Sequence, residues 1–219
     1  GITPILYVCA GCFFLSAVME LFIHIPFTRK ERTCSLFREL TGDVKDSILF
    51  ITREKKQIGK LTLCCAAVNL FLSALMIISL PVIVMQVLFF PQGNASEMYG
   101  FLQAAMAGGG LAGGMAAGIF SKKLNIQGSW KLLFVSSLLL LPMGAVLQEG
   151  IPVYAAYSVI AVSGLIIMAF ASLYTIQIMS YIQLTTPTAL IGKVIAWVIA
   201  LSTCAQPAGQ MIYGFLLER

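Results

Sequence analysis

Residues 153–182 read VYAAYSVIAVSGLIIMAFASLYTIQIMSYI, thirty positions without one Asp, Glu, Lys or Arg. A bilayer's hydrocarbon core, about 30 Å thick, is crossed by roughly 20 apolar helical residues rising about 1.5 Å each, so this stretch can cross with length to spare. A barrel strand would instead alternate lipid-facing and lumen-facing residues over about ten positions. Five more stretches read the same way: Ile5 to Phe27, Leu61 to Phe90, Tyr99 to Phe120, Trp130 to Leu147 and Leu190 to Leu217. The expected fold class is therefore all-α, a polytopic transmembrane helical bundle with about six spans. Composition agrees, because 59% hydrophobic and 11% charged residues, with a mean hydropathy of +0.92, cannot build a soluble domain with a solvated surface.

Charge placement orients the bundle, since cytoplasmic loops are enriched in Lys and Arg. Arg29, Lys30, Arg32, Arg38, Lys45, Arg53, Lys55, Lys56 and Lys60, nine of the fourteen basic residues, fall between the first two runs. The connection 91–98 holds Glu97 and 148–152 holds Glu149, with no basic residue in either. Lys122, Lys123, Lys131 and Lys193 mark the alternate connections, so both ends of the chain are expected outside. The net charge of +5 describes loops beside anionic lipid and gives no nucleic-acid surface.

The long polar segment Thr28 to Lys60 places Leu36, Leu40, Val44, Ile48 and Ile51 at helical spacing opposite Arg38, Glu39, Asp43, Lys45 and Asp46. That pattern predicts an amphipathic helix on the inner membrane surface, with a solvated loop as the rival and Gly42 as its weak point. Five of the six cysteines (Cys9, Cys12, Cys64, Cys65 and Cys204) lie inside apolar runs, and only Cys34 is in a loop, so no disulfide or metal framework is expected. Glycines at 109/113, 110/114 and 114/118 give G-x-x-x-G spacings that let helix backbones approach closely. No strand precedes them and no G-K-[ST] follows, which argues against a phosphate loop. Pro81, Pro142 and Pro207 interrupt three runs, and broken helices are common in transporters.

Pro187, Leu190, Ile191, Gly192, Lys193 and Val194, followed by a span holding Gln206, Pro207, Ala208 and Gly209, resemble the tenth-to-eleventh-helix region of the major facilitator superfamily, most closely its macrolide-efflux-like branch. The loop Gly118, Ile119, Phe120, Ser121, Lys122, Lys123, Leu124, Asn125 is similar to the second copy of that superfamily's cytoplasmic gating motif, with Lys122 standing where the fuller motif has Asp. Gly118, Lys122, Lys123, Gly192 and Lys193 are thus the gating-loop candidates. The resemblance implies that residues 1–27 are the last helix of an N-terminal bundle, 28–60 the central cytoplasmic loop, and 61–219 five helices of a C-terminal bundle. The chain would then be a fragment, running roughly from helix six to helix eleven, with sequence expected on both sides. A bacterial inner or plasma membrane is the implied location.

A transporter of this kind holds its cargo near the midplane between two bundles. Tyr174, Gln177 and Tyr181 align on one helical face, as do Gln206, Gln210 and Tyr213, with Asn69 and Ser73 as a smaller pair. Buried in lipid without partners such groups cost several kcal/mol each, so they should face protein or a watery cavity; interhelical hydrogen bonding is the alternative role. Glu20 is the single acidic residue inside a span, and His24 lies one turn on, a pair suited to binding and releasing a proton. Arg29 and Lys30 nearby allow an ordinary membrane-edge ion pair instead.

The expected function is part of a secondary transporter exporting hydrophobic or amphiphilic small molecules of the drug or macrolide type by alternating access. Its partners would be that cargo, the lipid bilayer, protons as coupling ion and the rest of its own chain, with no cofactor, metal or covalent chemistry. The membrane domain of an ABC-type exporter is a rival, although no ATPase motif or long cytoplasmic helical extension is present. A membrane enzyme or scaffold is the third alternative, and would call for clustered His, Asp or Ser in one leaflet.

Overall fold

Runs this apolar leave the backbone no hydrogen-bond partner in lipid except itself, and helix is the local solution. The computed structural model describes residues 2–23, 55–91, 94–120, 126–148, 150–188 and 190–217, and among them there is no strand. The helices are α1 (Ile2–Leu21), α2 (Lys56–Val87), α3 (Ala95–Ile119), α4 (Ser129–Ala145), α5 (Val153–Thr185) and α6 (Ile191–Leu217). A single 3-10 turn, Ile126–Gly128, leads into α4. The chain divides into two units, Gly1–Leu40 and Thr41–Arg219. The first contributes α1, and the other five helices belong to the second. The amphipathic segment through Leu36, Leu40, Val44, Ile48 and Ile51 lies outside the described residues.

Among the described residues five helices are long and apolar enough to cross a membrane: α1, α2, α4 with its preceding turn, α5 and α6. The expected six is reduced to five on that measure, and the difference is α3. That helix has the length, 25 residues, but the glycines of MAGGGLAGGMAAG contribute almost no apolar side chain. What α3 offers instead is bare backbone. A Cβ added at Gly109 would sit 2.1 Å from the Leu165 carbonyl oxygen, and one at Gly113 would sit 2.1 Å from that of Ala169. Both glycines are buried, and α3 and α5 therefore meet main chain to main chain, as the small-residue spacing allows.

A second close approach joins α2 and α6. A Cβ at Gly209 would lie 2.0 Å from the Leu70 carbonyl oxygen and 2.7 Å from the Ala74 Cβ. The α2 backbone at that crossing is not regular. It is α-helical over Lys56–Val68, π-helical over Asn69–Ser73, α-helical again over Ala74–Val82 and π-helical over Ile83–Val87. Asn69 Nδ2 donates to the Cys65 carbonyl at 3.0 Å, a side-chain bond to the preceding turn that competes with the backbone ladder, and the Ala74 N–H reaches back to Asn69. Pro81 offers no N–H to the Ile77 carbonyl, and the second π turn follows directly, with Leu88 N–H donating to Ile83 at 2.8 Å.

Two apolar clusters hold the second unit together. One, at the end that carries the α2–α3 connection, gathers Met76, Leu80, Val84, Leu102, Ile160 and Ile167. Phe90 closes that end, edge-on to Tyr154 and Tyr157, and the Tyr157 hydroxyl donates to the Met98 carbonyl at 2.9 Å. The other cluster, at the opposite end, gathers Ile58, Cys65, Tyr174, Ile178, Val194 and Val198. The polar side chains of interest lie between and beside these clusters.

Candidate functional site

The π turn of α2 places its first residue, Asn69, and its last, Ser73, at two successive cavities. The first cavity, about 210 Å³, lies among α2, α5 and α6 and is lined by Cys65, Val68, Asn69, Tyr174, Thr175, Met179, Ile199, Ser202 and Thr203. The second, about 280 Å³, adds α3 and is lined by Leu72, Ser73, Met76, Ile77, Gln103, Met106, Ile167, Met168, Ala171 and Gln206. From Asn69 to Ser73, from Thr175 back to Ala171 and from Ser202 to Gln206 the step is four residues on each of three helices. The cavities are therefore stacked, separated by about one helical turn of roughly 5.4 Å. Neither is lined by a charged residue, so any selectivity there comes from hydrogen bonds and shape.

Of the face Tyr174, Gln177 and Tyr181, Tyr174 borders the first cavity; it is 3% exposed and shares an apolar cluster with Cys65. Gln177, 8% exposed, accepts from the Ser129 hydroxyl at 3.1 Å, a proton for which the Ile126 carbonyl at 2.8 Å competes. Tyr181 donates to Gln57 Oε1 at 2.5 Å. Gln177 thus ties α5 to α4 and Tyr181 ties α5 to α2, near the end of the bundle where α2 begins.

The face Gln206, Gln210 and Tyr213 is split as well. Gln206 lines the second cavity. Tyr213 borders a separate groove of about 340 Å³ between α2 and α4, whose walls are mainly Phe71, Leu72, Leu75, Leu133 and Leu140. Gln210, half-buried, borders none of the three. The twist of α6 over two turns carries these side chains around different neighbours, which spacing alone does not reveal.

Glu20 lies in the last turn of α1, in the unit described by itself. His24, Lys122 and Lys123 lie outside the described residues. Gly118 sits in the last turn of α3, while Gly192 and Lys193 open α6. Sequence reasoning passed over Gln103, Thr175, Ser202, Thr203 and the methionines Met76, Met106 and Met168. Gln103 sits in the helix read for its glycines alone, and Ser202 and Thr203 precede Gln206 by one turn; a search for every polar residue within an apolar run would have found all four. No protein-family model matches this chain, nor does any curated protein or solved structure, so the transporter resemblance carries only the residues quoted for it.

Proposed function

We propose that this chain is part of a secondary active transporter that moves hydrophobic or amphiphilic small molecules across a bacterial inner membrane by alternating access, as a macrolide-efflux-like member of the major facilitator superfamily. The observation that carries the reading is the 280 Å³ cavity, where Ser73, Gln103 and Gln206 are set among Met76, Met106 and Met168. Thioether chains are flexible and polarizable and adapt to apolar ligands of different shapes, while a few amides and hydroxyls orient whatever enters. Ser73, Met168 and Gln206 fall near the middle of their helices, the depth at which transporters of this kind hold cargo. The π turn Asn69–Ser73 makes α2 irregular where it meets α6 at Gly209, and irregular helices are expected beside a transport site, while Pro207 lies inside the unbroken α6.

In this reading α3 is also a crossing, with Gly109 and Gly113 against α5, and both ends of the chain are outside. Glu20 and His24 are the proton-coupling pair, and the rest of the transporter supplies the opposite wall of the cavity. The test is export of a fluorescent hydrophobic dye by the full-length protein in inverted membrane vesicles. Gradient-driven uptake that falls at least tenfold in Gln103→Leu/Gln206→Leu, with the variant still folded in the membrane, supports the proposal. Uptake driven by ATP alone would assign the chain to the ABC class, and unchanged uptake in the double variant would remove the cavity from the mechanism.

A further inference from the structure

The 210 Å³ cavity sets several hydrogen-bonding groups among apolar walls. Thr175 donates its hydroxyl proton to the Ala171 carbonyl at 2.9 Å, and Thr203 donates its own to Ile199 at 2.8 Å. Asn69 commits one of its two amide hydrogens to the Cys65 carbonyl. What these side chains have left to offer is of both kinds, lone pairs on the two threonine oxygens and Asn69 Oδ1 and the second amide hydrogen of Asn69. Ser202 stands apart. It lines the same cavity, is 6% exposed, and its hydroxyl oxygen has no hydrogen-bond partner at all. A buried hydroxyl left without a partner is unfavourable, so a group that completes its hydrogen bonding is favoured there.

From this arrangement we infer that the cavity is a subsite for a small apolar ring carrying a hydroxyl, a group that both donates and accepts, and that it disfavours charged ligands of either sign, since no charged residue lines it. Volume sets the ring's size, since an engineered apolar cavity of about 150 Å³ holds benzene and this one is somewhat larger. Val68, Met179 and Ile199 supply apolar walls for the ring. Thr175 and Thr203, both exposed, mark the open side through which it enters. The threonine oxygens and Asn69 Oδ1 accept from the ring's hydroxyl and Ser202 completes its own bonding with it, whereas a carboxylate or an ammonium would be buried with no opposite charge to pair it. The inference deepens the cargo reading and rests on it only in regarding the ligand as cargo.

Met179 supplies a reporter inside the cavity. In full-length protein carrying ¹³C-methyl methionine, the Met179 signal is followed during titration with benzyl alcohol, benzylamine, toluene and benzoate, which share one ring and differ in the group it bears. The expected result is saturation by benzyl alcohol at concentrations at least fivefold lower than toluene, benzylamine or benzoate. Ser202→Ala/Thr203→Val should erase the preference for benzyl alcohol over toluene while leaving toluene binding unchanged; the single Ser202→Ala, which removes the unpartnered group and cannot disturb an existing bond, should reduce it. Equal saturation by toluene and benzyl alcohol, benzylamine or benzoate binding as tight as benzyl alcohol, or a preference that survives the double substitution would each overturn the inference. So would a Met179 response to sodium chloride, but not choline chloride, in a protein that ignores the organic probes. Binding as expected in a protein that transports nothing would support the subsite while overturning the transport reading.

Discussion

Replacing Gly113 with Ala should push α3 and α5 apart, and the size of the effect follows from one distance. The added Cβ would stand 2.1 Å from the Ala169 carbonyl oxygen, whereas such contacts become ordinary at 3.4 Å, so the backbones must separate by about 1.3 Å. Neither atom belongs to a flexible side chain that could swing away. A gap of 0.5–1 Å already forfeits a quarter to a half of a van der Waals contact, and overpacking of this kind costs about 1–3 kcal/mol. Gly109 faces Leu165 in the same way four residues earlier, again at 2.1 Å. One separation of the helices relieves both clashes, so Gly109→Ala/Gly113→Ala should be destabilising by little more than either single change, a coupling of roughly −2 kcal/mol between neighbouring sites. Gly108→Ala is the control, since a Cβ there meets nothing within 4 Å. The assay is unfolding of the full-length protein in mixed micelles by SDS, followed by circular dichroism. Strict additivity of the two changes, or a Gly113→Ala midpoint equal to that of Gly108→Ala, would refute the reasoning.

Gly209→Ala should weaken the α2–α6 contact by a similar amount, and Ala74→Gly should restore only part of it, because the Leu70 carbonyl still blocks the new methyl; the same SDS titration reads both. A double-mutant cycle on Ser129→Ala and Gln177→Met should give a coupling of about 0.6–1.7 kcal/mol, the range of hydrogen bonds between membrane helices. Tyr181→Phe removes a bond at an exposed end of α5 and should shift the unfolding midpoint by less than about 1 kcal/mol. Glu20→Gln should abolish export driven by a pH gradient in the full-length protein, and unchanged export would take Glu20 out of the coupling.

Much of the helical architecture was legible because lipid simplifies the problem. A long apolar run has one way to satisfy its backbone, and that way is local. Residues 153–182, read as a span, lie within an unbroken helix over Val153–Thr185, and Leu190 to Leu217 begins only one residue later, at Ile191. Leu61 to Phe90 was less exact: α2 starts at Lys56, because the aliphatic stems of charged residues continue a helix as readily as apolar ones. The glycine-rich run was legible as a packing face but not as a particular contact. Three glycine pairs share the spacing, yet only 109/113 meets backbone; Gly110 and Gly114 find side-chain atoms at 3.6 and 4.0 Å, and Gly118 finds open space.

The candidate site divided along the same line. Periodicity correctly placed Tyr174, Gln177 and Tyr181 on neighbouring turns, but Tyr174 packs in the cluster that holds Cys65 while Gln177 and Tyr181 hydrogen-bond Ser129 and Gln57, all on helices distant in the chain. The sequence by itself therefore determined that this chain is built of long apolar helices suited to a membrane, since hydrophobicity and backbone hydrogen bonding act over a few residues. Only the tertiary structure decided which glycines touch, which polar groups tie helices together, and that Asn69, Ser202 and Thr203 share one cavity. Those facts depend on crossing points and rotations between helices, set by packing over the whole bundle.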